Sequence, residues 1–503
     1  MYRTDDLYFR QEGTMTERCD TCIVGAGISG LNALFVASRY LSRDQRVILV
    51  ERRPRAGGMW LDTYDYVRLH QPHPFFTAGN IEWTFGRERK YLATKEEVLD
   101  HLRHCLEEIK QRIRVTELFG CELENAEEVG ETVRITCRSG EGRTIEIETD
   151  RMIKAYGQRI KTNAPLELSS ASAHSVSPDF FDVRGPEMRA SDAPVWIVGG
   201  GKTGMDTAHT LITEQPGREI NLVAGPGTLF MSRDRLFPDG ARRWREGELL
   251  SSVFREMAHR FDGTNEVDVM DWFRDNYGVW LTPETGNFLA AILSESENET
   301  IAMGLNEVIM DYLTDVVDRD GGAEVLLRSG DTLPFEPGSW VINCTGSLIR
   351  GEHPYEPYTS ASGRILSIQN RSVTFPFPSA GAAAYFLTHL LFLGKLNQIP
   401  LYATDAEDLR RKAPQYVMAA GTGPLQLYNL SLIAEELPAR QFMKVVSRYG
   451  LDFDRWFPLP RRLRASAEFM LTHKRDRKHY KRALDTVAER FDVRSGPVIG
   501  DGH

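Results

Sequence analysis

The stretch CDTCIVGAGISGLNALFVA, residues 19–37, indicates how the rest of this 503-residue chain folds. An apolar run meets Gly25, Gly27 and Gly30 at GxGxxG spacing, and a second apolar run comes directly after them. Glycine permits the tight turn, the close approach of a pyrophosphate and the packing of helix against strand. The pattern therefore predicts a strand, a dinucleotide-binding turn and a helix.

The residues after this turn favour an unphosphorylated adenosine group. Glu51 ends the next apolar run, and a carboxylate there accepts hydrogen bonds from both ribose hydroxyls and repels a 2′-phosphate. Arg52 is next to the acid, while Ile28 and Ser29 begin the predicted helix, whose free N–H groups would face the phosphates. We expect FAD or NAD at this site, against the alternative of a glycine turn that only packs.

A second run, VWIVGGGKTGMDTA at residues 195–208, repeats the pattern with Gly199, Gly201 and Gly204. It also invites a phosphate-binding P-loop interpretation. That interpretation fails because the motif needs a glycine where the chain has Trp196. The run instead predicts a second dinucleotide site.

The second site differs from the first at the end of its next strand. The segment INLVAG places Ala224 where a ribose-binding carboxylate would stand, so the site would tolerate a 2′-phosphate. Arg233 and Arg235 lie near enough in sequence to meet that phosphate, although surface ion pairs are the competing interpretation. Lys202 and Thr203 would lie beside the pyrophosphate. We expect NADPH here, with NADH as the alternative.

The segment ERRPRAGGMW, residues 51–60, then brings a resemblance to a known family into view. It is similar to the GG-x-W segment of the single-component, class B flavin monooxygenases, which have two dinucleotide-binding domains. The resemblance implies that the first nucleotide is FAD and that Gly58, Met59 and Trp60 lie near it. An ordinary core position is the alternative for the tryptophan.

Two short loops extend the resemblance. AYG at residues 155–157 and NCTG at residues 343–346 resemble the Ala-Thr-Gly linkers at which the chain of this family crosses between domains. The second loop makes Thr345 and Gly346 candidate cofactor contacts. The resemblance implies a discontinuous FAD domain with the NAD(P)H domain inserted into it.

We therefore predict an α/β fold with two Rossmann-like units. The FAD-binding domain is expected in two parts, residues 15–165 and 341–415, around an NAD(P)H-binding domain at residues 190–340. Apolar positions in LLSSVFREMAHRF and LNEVIMDYLTDVV are spaced for helices and predict a helical insertion at about 241–317, which would cover a substrate site. Residues 416–503 are expected to be helical.

In the family that the chain resembles, reduced flavin traps O2 as a C4a-hydroperoxide and transfers one oxygen atom. The resemblance implies oxygenation of a small metabolite at nitrogen or sulfur, and it makes His70 and Gln71 candidate catalytic residues. A histidine there would act as acid or base near neutral pH, unless it is only packed. Ser379 and Gly381 begin an apolar helix whose amides would face the flavin.

Three other functions stay open at this point. A flavin-dependent halogenase and an NAD(P)H oxidoreductase with another acceptor would use the same scaffold, and a flavin-binding redox sensor is the non-enzyme alternative. Disulfide reduction is disfavoured because no CxxxxC comes after the first Gly-Gly and no CxxC lies in the second nucleotide segment. The substrate and the oligomeric state are not specified.

Composition excludes several classes of partner. A formal net charge of −10 argues against nucleic acid, and no uncharged apolar run reaches the roughly 18 residues of a membrane span. Six irregularly spaced cysteines predict reduced thiols and a cytoplasmic location, and no metal site is expected. The basic segment at residues 461–482 is a solvated helix or a surface for an acidic partner or an anionic membrane.

Overall fold

The computed structural model describes residues 8–9, 15–157, 160–346, 353–375 and 380–498. The strands are β1 Tyr8–Phe9, β2 Met15–Val24, β3 Arg46–Glu51, β4 Arg114–Phe119, β5 Cys121–Val129, β6 Thr132–Ser139, β7 Thr144–Lys154, β8 His174–Val176, β9 Val195–Val198, β10 Ile220–Val223, β11 Thr228–Ser232, β12 Gly278–Trp280, β13 Asn287–Leu293, β14 Glu307–Ile309, β15 Leu313–Arg319, β16 Gly322–Leu327, β17 Thr332–Phe335, β18 Trp340–Asn343, β19 Ile365–Ser367, β20 Tyr402–Thr404 and β21 Ser495–Pro497. The α-helices are α1 Ile28–Ala37, α2 Lys95–Lys110, α3 Pro186–Arg189, α4 Lys202–Glu214, α5 Arg233–Leu236, α6 Leu250–Arg260, α7 Glu266–Tyr277, α8 Glu295–Gly304, α9 Ala380–Phe392, α10 Ala406–Lys412, α11 Gln415–Ala420, α12 Thr422–Glu436, α13 Ala439–Val446 and α14 Leu459–Phe491.

The first sheet is built around β2. It runs β4-β3-β2-β7 with parallel pairing, and β6 and β5 continue it in antiparallel order. Helix α1 is apolar and buried along nearly its whole length because it lies between this sheet and α9. The chain returns to the same unit late, since β19 pairs in parallel with β7 and α9 packs on α1.

The second sheet is entirely parallel, in the order β14-β10-β9-β18-β8. Every residue of β9, β10 and β18 is buried, as expected for central strands of a parallel sheet covered on both faces. The predicted α/β class with two Rossmann-like units is confirmed.

The segment predicted as a helical insertion is only partly helical. Helices α6, α7 and α8 are present, but β12 and β13 pair with β11, and residues 305–317 form β14 and β15 instead of a helix. The spacing of apolar residues there fits both a helix and a strand, and the pairing with neighbouring strands determines which one forms. Strand β14 completes the parallel sheet beside β10, and β15 starts a hairpin with β16. The second sheet also takes β8, which precedes the predicted domain start at residue 190.

The predicted helical C-terminal region is confirmed. Helices α11 to α14 make up most of it, and α14 packs against α12 and α6. Among the residues that the structure describes, no helix combines the length and the apolar character needed to cross a bilayer.

Candidate dinucleotide-binding sites and the junction between them

The first glycine turn is fixed by close backbone approaches. Gly25 has φ +108°, and its amide donates to the carbonyl of Val50 at 2.7 Å. A Cβ on Gly25 would lie 2.5 Å from the carbonyl oxygen of Ala155, and one on Gly30 would lie 1.7 Å from that of Gly25. Both distances are below any real contact, so β2, α1 and the loop after β7 meet only because glycine stands at both positions.

A second pair of glycines closes over this turn. Gly57 donates its amide to the carbonyl of Ala26 at 3.0 Å, and a Cβ on Gly58 would lie 2.7 Å from the Cα of Gly27. Gly58 has φ +57°, which favours glycine. The segment that resembles the family's GG-x-W therefore lies directly against the first glycine turn.

The start of α1 is free to bind an anion. No side chain caps the helix and its first turn holds no acid, so the amides after Gly27 have no intrahelical partner. Ile28 begins the helix and Ser29 is buried beside Gly157, where an added Cβ would lie 3.6 Å from the serine hydroxyl. An adenosine diphosphate group fits this terminus.

Glu51 lies at the end of β3, where the sequence predicts the ribose end of the first site. It is buried, Oε2 accepts the amide of Ala26 at 2.8 Å and Oε1 accepts the amide of Arg53 at 3.0 Å. Each carboxylate oxygen keeps a second acceptor position. The sequence predicts a cofactor contact for Arg52, which is exposed, but not for Arg53, whose guanidinium lies 3.5 Å from Oε1 of Glu51. Side chains alternate in direction along an extended chain, so residue 53 rather than residue 52 is expected on the side of residue 51.

The residues next to Gly58 divide between core and surface. Trp60 is buried with its ring against Phe76, at 5.5 Å between centroids, whereas Met59 is 42% exposed. The aromatic side chain thus lies beside the segment that contains the two candidate catalytic residues. Its contact with a flavin stays a prediction.

The second glycine turn repeats the first. Gly199 has φ +119° and donates its amide to Val223 at 2.9 Å; a Cβ there would lie 2.6 Å from the carbonyl oxygen of Cys344. A Cβ on Gly204 would lie 2.0 Å from the carbonyl oxygen of Gly199. Residues 155 and 344 occupy equivalent places, each directly after the strand that flanks the turn.

The two turns differ at their outer edges. Strands β9 and β10 pair in the same register as β2 and β3, which places Ala224 where the first unit has Glu51. A Cβ on Gly201 would meet nothing within 4 Å, in contrast to the covered Gly27. Helix α4 has no side-chain cap and no acid in its first turn. The second site is therefore open and lacks a ribose-binding carboxylate.

The first turns of α4 also contact the first unit. Lys202 pairs with Asp206, and the carboxylate of Asp206 accepts the hydroxyl of Tyr64 at 2.7 Å. The carbonyl of Thr203 accepts the hydroxyl of Thr207 at 2.8 Å, so this residue offers its amide to a ligand but not its carbonyl. The hydrogen bond between Tyr64 and Asp206 joins the start of α4 to the first unit.

The two predicted phosphate-binding arginines lie elsewhere. Arg233 is paired with Glu297 at 2.9 Å and donates from Nε to the carbonyl of His70 at 2.9 Å, while Arg235 lies 3.7 Å from Glu295. Strand β11 intervenes, and a strand advances about 3.3 Å per residue, so proximity in sequence did not mean proximity to the end of β10. Both arginines therefore make the ion pairs that are the competing interpretation of the sequence.

His70 and Gln71 lie at this junction between the units. His70 is partly buried, its Nδ1 accepts the amide of Ile292 at 3.2 Å, and burial together with the charges of Lys202 and Arg233 lowers its pKa to about 3. The ring is therefore neutral near pH 7, in line with the alternative of a packed histidine, and an acid or base role there stays a prediction. Gln71 is buried, and its Oε1 has no hydrogen-bond partner within the described ranges.

The remaining sequence candidates lie around the late return of the chain. The amide and hydroxyl of Thr345 donate to Oδ1 of Asn343 at 3.1 and 2.7 Å, and a Cβ on Gly346 would meet nothing within 4 Å. A Cβ on Gly381 would lie 2.6 Å from a side-chain methyl of Leu451, so the start of α9 packs closely against that leucine. Ser379 lies outside the described residues.

A small cavity separates the loop after β7 from the start of α9. Its lining includes Gly157, Ser367, Ser372 and Ala383. The two serine hydroxyls are buried and lack a partner in the part of the chain that the structure describes. These unsatisfied groups, beside α9, mark polar atoms that a bound cofactor would satisfy.

None of the cysteines suits electron transfer to a disulfide. All six are free and buried, and burial raises the pKa of Cys19 to about 11 and those of Cys137 and Cys344 to about 12. Burial raises the pKa of each remaining thiol as well, Cys22, Cys105 and Cys121. The thiolate is the reactive form, so these cysteines are unreactive near neutral pH.

With this geometry described, comparison with known proteins gives the family. The family model for pyridine nucleotide-disulphide oxidoreductases matches residues 19–270, half of the chain, and the chain belongs to that family. The expectation of a flavin-dependent oxidoreductase that uses FAD and a pyridine nucleotide is thereby confirmed. The match covers both glycine turns and ends within α7.

Solved structures share the fold at low sequence identity. A steroid monooxygenase described as oxidized and bound to NADP has a TM-score of 0.50 and 16% identity, over 79% of this chain and 91% of that chain. A flavin-containing monooxygenase from Stenotrophomonas maltophilia has a TM-score of 0.45 and 12% identity, over 75% and 99%. A bacillithiol disulfide reductase from Staphylococcus aureus has 0.45 and 11%, over 76% and 99%. No curated protein sequence matches the chain.

Proposed function

We propose that this protein is an FAD-dependent, NADPH-consuming monooxygenase that transfers an oxygen atom from O2 to the nitrogen or sulfur of a small nucleophilic metabolite. The observation that carries the proposal is the inequality of the two dinucleotide turns. One is closed and ends in a buried carboxylate, and the other is open and ends in alanine.

The first unit would hold FAD. Its adenosine ribose would bind Glu51, its pyrophosphate would lie at the start of α1, and Gly58 would cover the turn. FAD supplies hydride acceptance and O2 activation when bound. The chain itself contributes binding, orientation and exclusion of water from the junction between the units.

The second unit would bind NADPH and release the oxidised form. A 2′-phosphate is compatible with Ala224, because no carboxylate repels it there. The open surface at Gly201 suits a cofactor that exchanges in each turnover. The steroid monooxygenase of the same fold, described as bound to NADP, supports this choice.

Oxygen rather than a disulfide would accept the electrons. The family name includes disulphide reduction, but that chemistry needs an accessible thiolate, and the six cysteines are buried with raised pKa values. Gln71 is the side chain best suited to act on the oxygen-transfer step, because its buried carbonyl oxygen has no partner among the described residues. Buried polar atoms without partners are rare and mark candidate ligand contacts.

Location and partners complete the proposal. Six free cysteines agree with a reducing compartment, and we propose the cytoplasm. The basic segment at residues 461–482 lies in α14, where Arg477 and Lys474 pair with Glu435 and Lys481 pairs with Asp485. An acidic partner at this segment stays a prediction, with less unpaired charge available than the sequence indicates.

The test is to measure NADPH oxidation, O2 consumption and product together. Purified protein should contain one FAD per chain, consume NADPH and O2 in equal amounts with a suitable amine or thioether, and show the absorbance of a flavin–oxygen adduct after rapid mixing. Hydrogen peroxide as the only oxygen product would support a plain NAD(P)H oxidase instead. Colourless protein that takes up no FAD would refute the proposal.

The Gln71→Ala variant isolates the oxygen-transfer step. NADPH should still reduce the flavin at the wild-type rate, while product formed per NADPH falls and hydrogen peroxide rises. Gln111→Ala is the matched control, because that side chain is exposed at the end of α2. Unchanged product yield in the Gln71 variant would remove this residue from the reaction.

A further inference from the structure

The end of β10 is the place where the second cofactor is discriminated. In a dinucleotide fold the adenosine ribose lies beyond this strand. Here the amide of Ala224 donates to the carbonyl of Ile309 at 2.8 Å, and the amide of Gly225 donates to that of Asp311 at 3.0 Å. The edge is therefore formed jointly by residues 224–225 and by the segment directly after β14.

One aromatic side chain and one arginine meet at this edge. A Cβ on Gly225 would lie 3.3 Å from Cε1 of Tyr312, so the phenol ring lies against the turn, and it is 41% exposed. The guanidinium carbon of Arg328 lies 3.7 Å from the centroid of that ring. The backbone joins them too, since the amide of Arg328 donates to the carbonyl of Tyr312 at 2.9 Å.

The positive charge of this arginine is available to a ligand. The side chain is exposed and forms no ion pair with a carboxylate among the described residues, although its charge acts on the nearby Asp311. Arg233 and Arg235, by contrast, are committed to Glu297 and Glu295. Arg328 is thus the arginine that the fold brings to the end of β10, from a hairpin about a hundred residues further along the chain.

The carboxylate of Asp311 also lies at this edge, and both of its oxygens accept backbone hydrogen bonds. Asp311 accepts the amide of Tyr312 at 2.7 Å with Oδ1 and the amide of Ser329 at 3.0 Å with Oδ2. The hydroxyl of Ser329, these two amides and the charge of Arg328 lower the pKa of Asp311. The carboxylate shapes the two turns that carry the tyrosine and the arginine.

We propose that Arg328 binds the 2′-phosphate of NADPH and that Tyr312 stacks on its adenine, which together make the second site selective for the phosphorylated cofactor. The inference rests on the proposed use of NADPH as electron donor. A planar guanidinium can donate two parallel hydrogen bonds to a phosphate, and an exposed aromatic ring beside the ribose position is a stacking surface for a base. No other arginine is assigned to this role.

The experiment measures binding without turnover. Calorimetric titration of the purified flavoprotein with adenosine 2′,5′-bisphosphate and with 5′-AMP should show preference for the bisphosphate. Arg328→Ala should weaken the bisphosphate roughly tenfold to a hundredfold, the usual size of a charge-assisted contact, and should leave 5′-AMP within about twofold. Tyr312→Ala should weaken both ligands.

Arg319→Ala is the matched control. Arg319 ends β15 on the same hairpin, is exposed and pairs with Glu324 at 3.0 Å, so its loss should leave both affinities unchanged. A variant at 328 that binds the two ligands like the wild type, or that loses both equally, would overturn the proposal. Wild-type preference for 5′-AMP would also overturn it and would assign ribose binding to Asp311.

The two proposals fail separately. Preference for the bisphosphate, lost in Arg328→Ala, together with no oxygenated product would leave this site assigned and would refute only the monooxygenase activity. Oxygenation driven equally by NADH and NADPH, with unchanged affinities in Arg328→Ala, would refute only the phosphate site. Melting curves of each variant exclude loss of folding as the cause.

Discussion

The two dinucleotide turns of this protein have the same backbone and different surroundings. In both, the first glycine donates to the neighbouring strand and the third stands where a Cβ would overlap a carbonyl oxygen, at 1.7 Å in one and 2.0 Å in the other. The first turn is covered by Gly58 and ends at Glu51, whereas the second is open at Gly201 and ends at Ala224. We infer that the turn makes a dinucleotide site and that its surroundings select the dinucleotide that binds there and determine whether it exchanges.

The largest effect is expected where the turn itself is filled. In Gly30→Ala the new Cβ would lie 1.7 Å from the carbonyl oxygen of Gly25, so α1 cannot pack against β2. We predict loss of soluble, yellow protein, measured as yield and as flavin absorbance relative to protein. Gly201→Ala is the matched control in the open turn, where a Cβ meets nothing within 4 Å, and it should fold and retain flavin.

The reverse result would contradict the assignment of the covered turn to FAD and of the open turn to NADPH. If Gly30→Ala kept its flavin while Gly201→Ala lost it, the covered and open turns would have been assigned to the wrong cofactors.

Glu51→Gln tests the closed edge with a smaller change. The amide keeps the shape of the buried side chain but removes the charge from its hydrogen bonds with the ribose and with the amides of Ala26 and Arg53. We predict that FAD dissociates roughly tenfold to a hundredfold more readily, by the usual strength of hydrogen bonds to a charged group. Equilibrium dialysis against free FAD measures this. Glu148→Gln, on β7 with a 3.9 Å pair to Arg18, is the surface control and should bind FAD normally.

Ala224→Glu transfers the missing carboxylate to the second turn. The new side chain occupies the position of Glu51 and would repel a 2′-phosphate, so the ratio of kcat/KM for NADPH to that for NADH should fall by about tenfold. Steady-state kinetics with both cofactors measure the ratio. Ala190→Glu adds the same charge at the exposed end of α3 and should leave the ratio unchanged. An unaltered ratio in Ala224→Glu would mean that the ribose lies elsewhere.

The smallest effect concerns pH at the junction between the units. The pKa of His70 is about 3 in the folded chain, below the ordinary value of 6.5, so the unfolded chain binds more protons between these values. Its contribution to stability is complete above about pH 6.5 and decreases as pH falls toward 3. The melting temperature should drop on acidification, less steeply in His70→Gln. His101 and His389, with pKa values lowered to about 3 and about 4, add to the same slope.

The parts of this molecule that were predictable from sequence are local. The GxGxxG spacing, together with an acid at the end of the next strand, predicts the strand, the turn and the helix. The same pattern places Ala224 where that acid would stand in the second unit. The motif is local because Gly30 and Gly204 are required by contacts with the first glycine of the same unit. The contacts of Gly25 and Gly199, by contrast, come from loops after distant strands.

The parts that were not predictable depend on distant pairing. Residues 305–317 fit helical spacing, yet β10 needed a parallel neighbour and took β14. Arg233 lies close to Ala224 in sequence but reaches His70, whereas Arg328 lies far away in sequence and reaches the edge beside Gly225 through Tyr312. Sequence separation gives no measure of which arginine a sheet and a hairpin bring to a given strand end.

The most direct test is an anaerobic titration of the purified yellow protein with NADPH, and then admission of O2. We predict bleaching by one equivalent of NADPH per flavin, with no second equivalent taken up by a disulfide, and return of the yellow colour on mixing with O2. Uptake of a second equivalent, with the appearance of two new thiols, would contradict the assignment of the cysteines as free and unreactive. Protein that stays colourless with added FAD would contradict the assignment of the first turn.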